Sequence, residues 1–337
     1  MSVALACALL TGSVTASAAM PRDRADEAKS ALIRGRADQA LKLLNDALTQ
    51  DANDAEALNL RCRVFYAEER WDEAIADCGR SVQIEGGNSN YHMWLGRAYG
   101  GKAQHVTFVA AYKLAKLIRV EFETAARLDP KNGEALSDLG EYYVQAPAVL
   151  GGGSGKAEAL VTQLDSFDPV RALELRSQIA ESKKDYLEAE TSLRAKISAS
   201  HSSAQSWMDL GSFYQRRERW DEMLAAVQSG AAAADHDHGP ALADGAATLV
   251  KANRQQKLAI DWMRAYLASD ALSEEAPAFV VHVRLGTLLK QQGDPQGARK
   301  EFAAAEALAK NYVGLQTAEK RTHLRPDDTG AAVAGGS

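Results

Sequence analysis

Long apolar runs are missing from this chain. The one at the start, Val3 to Val14, is far too short to span a bilayer, and no later run approaches that length. Cysteine is scarce, with 3 in 337 residues, and there is no C-x-x-C pair. There is also no G-x-S-x-G elbow and no H-E-x-x-H, so the common hydrolase and zinc-protease signatures have no counterpart. Basic charge is in the minority: 39 Lys and Arg against 45 Asp and Glu leave a net charge of −6. No large basic field exists to release counterions, which argues against non-specific binding to DNA, RNA or anionic lipid. Local basic patches remain open. No segment reads as a strand of a parallel sheet.

What the chain does contain is enough apolar material for a sizeable core, 46% hydrophobic against 25% charged. Its first twenty residues, MSVALACALLTGSVTASAAM, carry no charged side chain. Ala16, Ser17 and Ala18 form a small-x-small cleavage signal, so residues 1–19 read as a signal peptide cut near Ala19. The usual basic start of such a leader is missing. Cys7, after Ala4-Leu5-Ala6, is a poor match to a lipoprotein box. The expected location is periplasmic or secreted.

Internal similarity is the strongest signal. ERWDEAI at 69–75 returns as ERWDEML at 218–224. WMDLGSFY, from Trp207 to Tyr214, shares its frame with HMWLGRAY (His92–Tyr99), LSDLGEYY (Leu136–Tyr143) and HVRLGTLL (His282–Leu289). Ala298 and Phe302 supply an Ala-x-x-x-Phe half, with weaker copies at Ala74/Cys78 and Ala40/Leu44. Ala28, Cys62 and Gly96 are spaced by 34 residues each, as are Gly211 and Gly245. From Gly96 to Gly140 is 44, one period plus an insertion of ten.

These motifs resemble the tetratricopeptide-repeat family over nearly all of residues 21–312, in a secreted or periplasmic bacterial type. The resemblance implies an all-α fold, an α-solenoid of stacked antiparallel helix pairs. The periodicity agrees, because apolar or small residues recur at i, i+3, i+4 and i+7. One helix pair cannot bury both faces, so neighbours must stack. The frame gives an array of about eight repeats over 20–312, starting near 21, 55, 89, 133, 172, 204, 238 and 279. A capping helix is expected over 313–325 and a disordered tail over 326–337. The seventh repeat lacks the usual aromatic anchors, with Thr248 in an aromatic slot.

The run Gly151 to Lys156, GGGSGK, looks at first like a phosphate loop. That loop needs a glycine where Leu150 stands and a hydroxyl where Ala157 stands, between a strand and a helix. The expectation is instead an expanded turn within the fourth repeat, after Pro147 stops the first helix, with the second helix starting near Lys156. The ten-residue insertion, within Gly100–Val109, is expected to lengthen the third repeat's loop likewise. Two long loops would then form a lip on one edge. Asp235–His238, DHDH, is the one His/Asp cluster, and further ligands for a metal are missing, so no metal and no cofactor are expected. His92 and His282 take bulky packing slots.

Function therefore falls to the surface of the array. In the family the first helices line the concave face, which here places Asn59, Arg63, Tyr66, Asn90, Met93 and Arg97 in a partner-binding groove. The same face continues through Glu141, Gln145, Met208, Ser212 and Gln215. Arg63 and Arg97 occupy equivalent slots in adjacent repeats, so they should stand close together. Paired guanidinium forks suit a carboxylate or a peptide backbone; the alternative is that they pair with Glu141 or Glu56 and keep the groove soluble. Glu134 and Asp138 stand where the family's chaperone-tail clamp wants basic residues. The expected role is a non-enzymatic scaffold or adaptor binding a peptide or partner helix. The alternative is a small-ligand-binding protein or atypical enzyme using the edge near Gly151–Lys156 and Asp235–His238.

Removing the leader leaves Cys62 and Cys78, 16 residues apart in one repeat. Cys62 takes the glycine slot of a first helix and Cys78 the phenylalanine slot of the second. Antiparallel packing puts these slots side by side, within disulfide reach. Two buried thiols that simply fill the space are the alternative.

Overall fold

The computed structural model describes residues 22–234 and 239–322. Residues 1–21, which include the expected leader, the cluster Asp235–His238 and the residues from 323 onward lie outside the described residues. Every described element is helical. Eight antiparallel pairs follow one another: α1 (Arg22–Ile33) with α2 (Ala37–Gln50), α3 (Ala55–Ala67) with α4 (Trp71–Ile84), α5 (Ser89–Ala103) with α6 (Phe108–Leu128), and α7 (Gly133–Gln145) with α8 (Ser154–Asp165). The second half holds α9 (Pro169–Ser182) with α10 (Tyr186–Ala199), α11 (Ala204–Arg216) with α12 (Trp220–Ala233), α13 (Ala241–Lys251) with α14 (Gln256–Ala268), and α15 (Ala278–Gln291) with α16 (Pro295–Leu308). A last helix, α17 (Val313–Thr322), packs on the eighth pair.

Local chemistry sets the ends of these helices. The side chains of Asp54, Asn132, Asp168 and Ser203 accept from the backbone N–H three residues on, capping α3, α7, α9 and α11. Each such cap is worth about 1 kcal/mol. In six of the pairs the chain reverses between the two helices through a left-handed residue: Gly35, Glu69, Lys184, Glu218, Asn253 and Gly293.

The periodic glycines mark where two helices touch. A methyl group on Gly211 would stand 2.5 Å from the Val227 side chain, and one on Gly286 would stand 2.7 Å from the Phe302 ring. Both pairs are 16 residues apart, the same separation as Cys62 and Cys78. The cysteines occupy this slot in the second repeat, where they are joined as a disulfide with Cα atoms 5.4 Å apart. Their surroundings, Ala74, Leu95 and Ala98, are buried.

Three expectations are corrected. The insertion in the third repeat does not lengthen a loop. It lengthens α6, which has 21 residues where α4 has 14. The inserted stretch joins a sequence rich in good helix formers, AAYKLAKL, so the helix simply begins earlier. The ninth helix starts at Pro169, ahead of the expected repeat boundary at 172, because Asp168 caps it and proline suits the first turn. The seventh repeat is not short of aromatics: Tyr266 is fully buried in α14 and Trp262 packs beside Gly245. The fourth repeat does hold an expanded turn, with a 3₁₀ segment at Ala148–Leu150 followed by Gly151 in the left-handed region. Its second helix begins at Ser154, two residues ahead of Lys156.

The ends of the array meet. The Val313 N–H donates to the Glu68 carbonyl (3.2 Å), and the Lys310 N–H donates to the Asp38 carboxylate (3.2 Å). Tyr312 donates its hydroxyl to Glu69 (3.3 Å). Gly35 lies so close to the Ala278 backbone that any side chain there would collide with it. The eighth pair and α17 thus dock on the first two pairs, and one hydrophobic core runs through Leu32, Leu44, Phe279 and Leu315. The solenoid closes into a ring.

Candidate functional site

The interior of this ring holds a cavity of about 1180 Å³. One wall comes from α3 and α5, through Asn59, Arg63, Tyr66, Asn90, Met93, Trp94 and Arg97. The opposite wall comes from the other end of the chain: Glu274 and Pro277 before α15, Val280 and Arg284 on it, and Tyr312.

Trp94 organises the first wall. The guanidinium of Arg63 lies 5.0 Å from its ring centroid and that of Arg97 lies 4.7 Å away, both within cation–π range. Tyr66 meets the same ring edge-on at 5.6 Å and Trp71 edge-on at 5.3 Å. Arg97 donates to Asp138 (2.6 Å) and Glu134 (3.2 Å). Burial works against charge at Arg97, but Asp138 and Glu134 outweigh it and hold its pKa above the ordinary value. Burial pushes the Asp138 carboxyl up despite Arg97, and pushes the Tyr66 hydroxyl up as well.

Arg63 donates to Glu274 through Nε (2.9 Å) and through a second, shorter bond. Glu274 is held in place by Tyr266, whose hydroxyl donates to the Ala276 carbonyl (2.8 Å) and accepts from the Ser273 N–H (2.9 Å). The buried phenol thus fixes the turn that closes the cavity.

The expected partners of the two arginines are therefore corrected. Glu56 takes Lys29 (2.6 Å) and Glu141 takes Gln145 (2.7 Å), while Arg63 and Arg97 bind Glu274 and Asp138. The groove residues divide as well. Asn59, Arg63, Tyr66, Asn90, Met93 and Arg97 line the cavity, although Asn59 and Met93 are themselves buried. Glu141, Gln145, Met208, Ser212 and Gln215 do not line it. Met208 is not on the surface at all: it is buried against Gly230 and Gly245, a small-residue gap between neighbouring pairs. Ser212 is tied to Thr248 (3.0 Å), which gives the aromatic slot of the seventh repeat a polar use.

Sequence reasoning missed Trp94, Glu274, Arg284 and Tyr312. A signal existed for two of them. Trp94 and Arg284 both stand two residues before a slot glycine, Gly96 and Gly286, so one row of first-helix positions faces the interior. Nothing in the linear pattern brings Glu274 or Tyr312 to that wall. The phosphate-loop look-alike is spent internally, because Lys156 donates to the Gly151 carbonyl (2.8 Å) and lies 5.1 Å from the Tyr143 ring centroid. His92 and His282 do more than pack: each Nδ1 lies 2.6 Å from a carboxylate, Glu121 and Glu301 respectively. Among the described residues no group of three or more His, Cys, Asp or Glu side chains is placed to hold a metal ion.

With this geometry established, comparison with known proteins is informative. Residues 31–98 match the family model described as a tetratricopeptide repeat. The yeast Tom70 structure superposes with a TM-score of 0.54 at 12% identity, covering 92% of this chain and 67% of that one. A tetratricopeptide-repeat protein of Thermus thermophilus is 22% identical over 60% of this chain and 98% of its own, with a TM-score of 0.47. One from Parabacteroides merdae covers 90% of this chain and 98% of its own at 14% identity, with a TM-score of 0.42. No curated protein matches the sequence. The fold is a tetratricopeptide-type solenoid, a class that typically mediates protein–protein interaction.

Proposed function

We propose that this protein is a non-enzymatic interaction scaffold whose ring interior holds a peptide segment or a helix of a protein partner, in the periplasm or another extracytoplasmic space. The supporting observation is the cavity between α3, α5 and α15, walled by Trp94, Tyr66 and Tyr312 and by charges of both signs. Aromatic rings give contact area at low entropy cost, and the balanced charges suit a backbone with mixed side chains. Small-molecule pockets fall at roughly 300–1,000 Å³. A volume of about 1180 Å³ favours a chain segment over a small ligand. The location rests on the leader and on the cysteine pair, since disulfides persist in oxidising compartments.

A photo-crosslinking amino acid at Asn90, inside the ring, tests this in the native host. It should give discrete protein adducts, and the same group at exposed Glu158 should not. Bound nucleotide or stoichiometric metal in purified protein, with no adduct from Asn90, would overturn the scaffold reading in favour of a small-ligand site.

A further inference from the structure

The charge of this protein is unevenly placed. From Gly86 to Val120 the chain has no carboxylate side chain; Arg97, Lys102 and Arg119 of this stretch are paired with Asp138, Asp72 and Glu123, which leaves Lys113 and Lys116 as its unpaired cations among the described residues. A second carboxylate-free stretch runs from Tyr142 to Ala157. The fold brings the two together. Gly151 packs directly on the Arg119 side chain, and the 3₁₀ segment Ala148–Leu150 lies against α6. Tyr142 donates its hydroxyl to the Leu150 carbonyl (2.9 Å), which fastens the turn to the helices beside it.

This edge also exposes large apolar side chains. Phe108 is 86% exposed, Val149 75% and Val109 67%; among the described residues Leu187 of α10, at 79%, is the other large apolar side chain this exposed. Phe108 and Val109 form the first turn of α6, which is about two turns longer than α4 because of the insertion. Along the helix, Val109, Lys113, Lys116 and Val120 fall on one side, away from buried Ile118, Phe122 and Ala125. Neither Lys113 nor Lys116 has an ion-pair partner among the described residues; Lys116 lies 4.7 Å from the Tyr112 ring centroid.

We infer that this edge is a peripheral membrane-contact surface that docks on an anionic lipid bilayer, with Phe108, Val109 and Val149 entering the interfacial zone and Lys113 and Lys116 meeting the headgroups. Exposed apolar residues beside polar and charged ones mark interaction sites. Two features select a bilayer over a protein. Side chains this exposed project from the surface, whereas a partner helix is received in a groove that half-covers its anchors. Val109 and Val120 share one face of α6 with Lys113 and Lys116, Phe108 projects from the start of the same helix, and the lysine charge is complementary to anionic headgroups. The net charge of −6 opposes adsorption of the whole molecule, so contact is confined to this edge and oriented by it. Docking here leaves the ring cavity, walled by α3, α5 and α15, available.

The test uses purified protein and vesicles of equal parts phosphatidylglycerol and phosphatidylcholine, with pure phosphatidylcholine vesicles as the neutral control. Flotation should recover the protein with the anionic vesicles at low salt and about tenfold less of it with the neutral ones or at high salt. Lys113→Glu with Lys116→Glu, and separately Phe108→Asp with Val109→Asp, should each cut recovery about tenfold. All four side chains are exposed, so unchanged helical content and thermal midpoint verify that the variants fold. A Phe108→Trp reporter should shift to shorter emission wavelength on anionic vesicles and be quenched by brominated lipid. Failure to float with anionic vesicles overturns the inference, as does recovery of either double variant equal to that of the unsubstituted protein. A crosslinker at Val149 that captures an acidic protein while vesicle binding is absent also overturns it, and makes this edge a protein interface.

Discussion

Arg63 on α3 is bound by the carboxylate of Glu274, a residue 211 positions further along the chain. A tetratricopeptide solenoid is quasi-one-dimensional, and each unit normally touches only its neighbours. Here the second repeat touches the segment that joins the seventh pair to the eighth. The ion pair has side-chain exposures of 25% and 14%, so it is shielded enough to matter.

Arg63→Ala should lower stability, and so should Glu274→Ala. Charge-assisted bonds of this kind are worth about 1.5–3 kcal/mol each, and two residues in contact couple by about 0.5–3 kcal/mol. A double-mutant cycle followed by urea unfolding should give a coupling of about 1 kcal/mol or more. Strict additivity would mean that the pair does not hold the ring.

Ring closure predicts communication between the chain ends. Tyr312 is buried, stacks edge-on with Phe279 at 5.0 Å and reaches Glu69. Tyr312→Ala should lose about 3 kcal/mol or more, as for other buried aromatics cut to alanine. Amide exchange should quicken in α2 and α3 as well as in α15 and α17. If the change stays within α15–α17, the ends fray independently.

The disulfide closes a loop defined by a separation of 16 residues, which stabilises by about 3 kcal/mol in the chain-entropy model. Reduction should lower the urea midpoint accordingly. Alkylating unreduced protein that lacks residues 1–19, and so Cys7, under denaturing conditions and weighing it should show no labelled thiol. Two labelled thiols per chain would eliminate the bond.

Glu68 has no exposed surface and lies at the closure, facing Arg70, Glu73 and Asp38. One of its oxygens has no hydrogen-bond partner. Burial raises its pKa above the ordinary carboxylate value, and the hydrogen bond and charge of Arg70 offset this only in part. For a carboxyl raised in the folded state, the stabilising contribution is full below the unfolded value and is lost as pH rises through the folded one. Glu68→Gln should therefore stabilise the protein at pH 7 and bring progressively less gain as pH falls toward the carboxylate range. Denaturant unfolding at pH 7 and pH 5 checks this, and an equal gain at both would refute it.

Much of the architecture was legible in the chain. The 34-residue spacing of Ala28, Cys62 and Gly96 reports a contact that every pair must make, because two helices can approach only where a residue is small. The shared separation of Gly286 from Phe302 and of Cys62 from Cys78 placed the two sulfurs in one slot for the same reason. The insertion was legible only as a length. Whether ten residues become loop or helix depends on what they pack against, and α6 found Ile118 and Phe122 a seat on its neighbours.

The sequence by itself determined the helical pairs, their order and the face each pair buries, because these follow from local propensity and a fixed period. The tertiary structure alone decided that the array closes. Closure is the sum of small rotations between successive pairs, and no single repeat records that sum. It is this accumulated curvature that carries Glu274 to Arg63 and Tyr312 to Glu69, and so turns a concave face into a cavity walled by both ends of the chain.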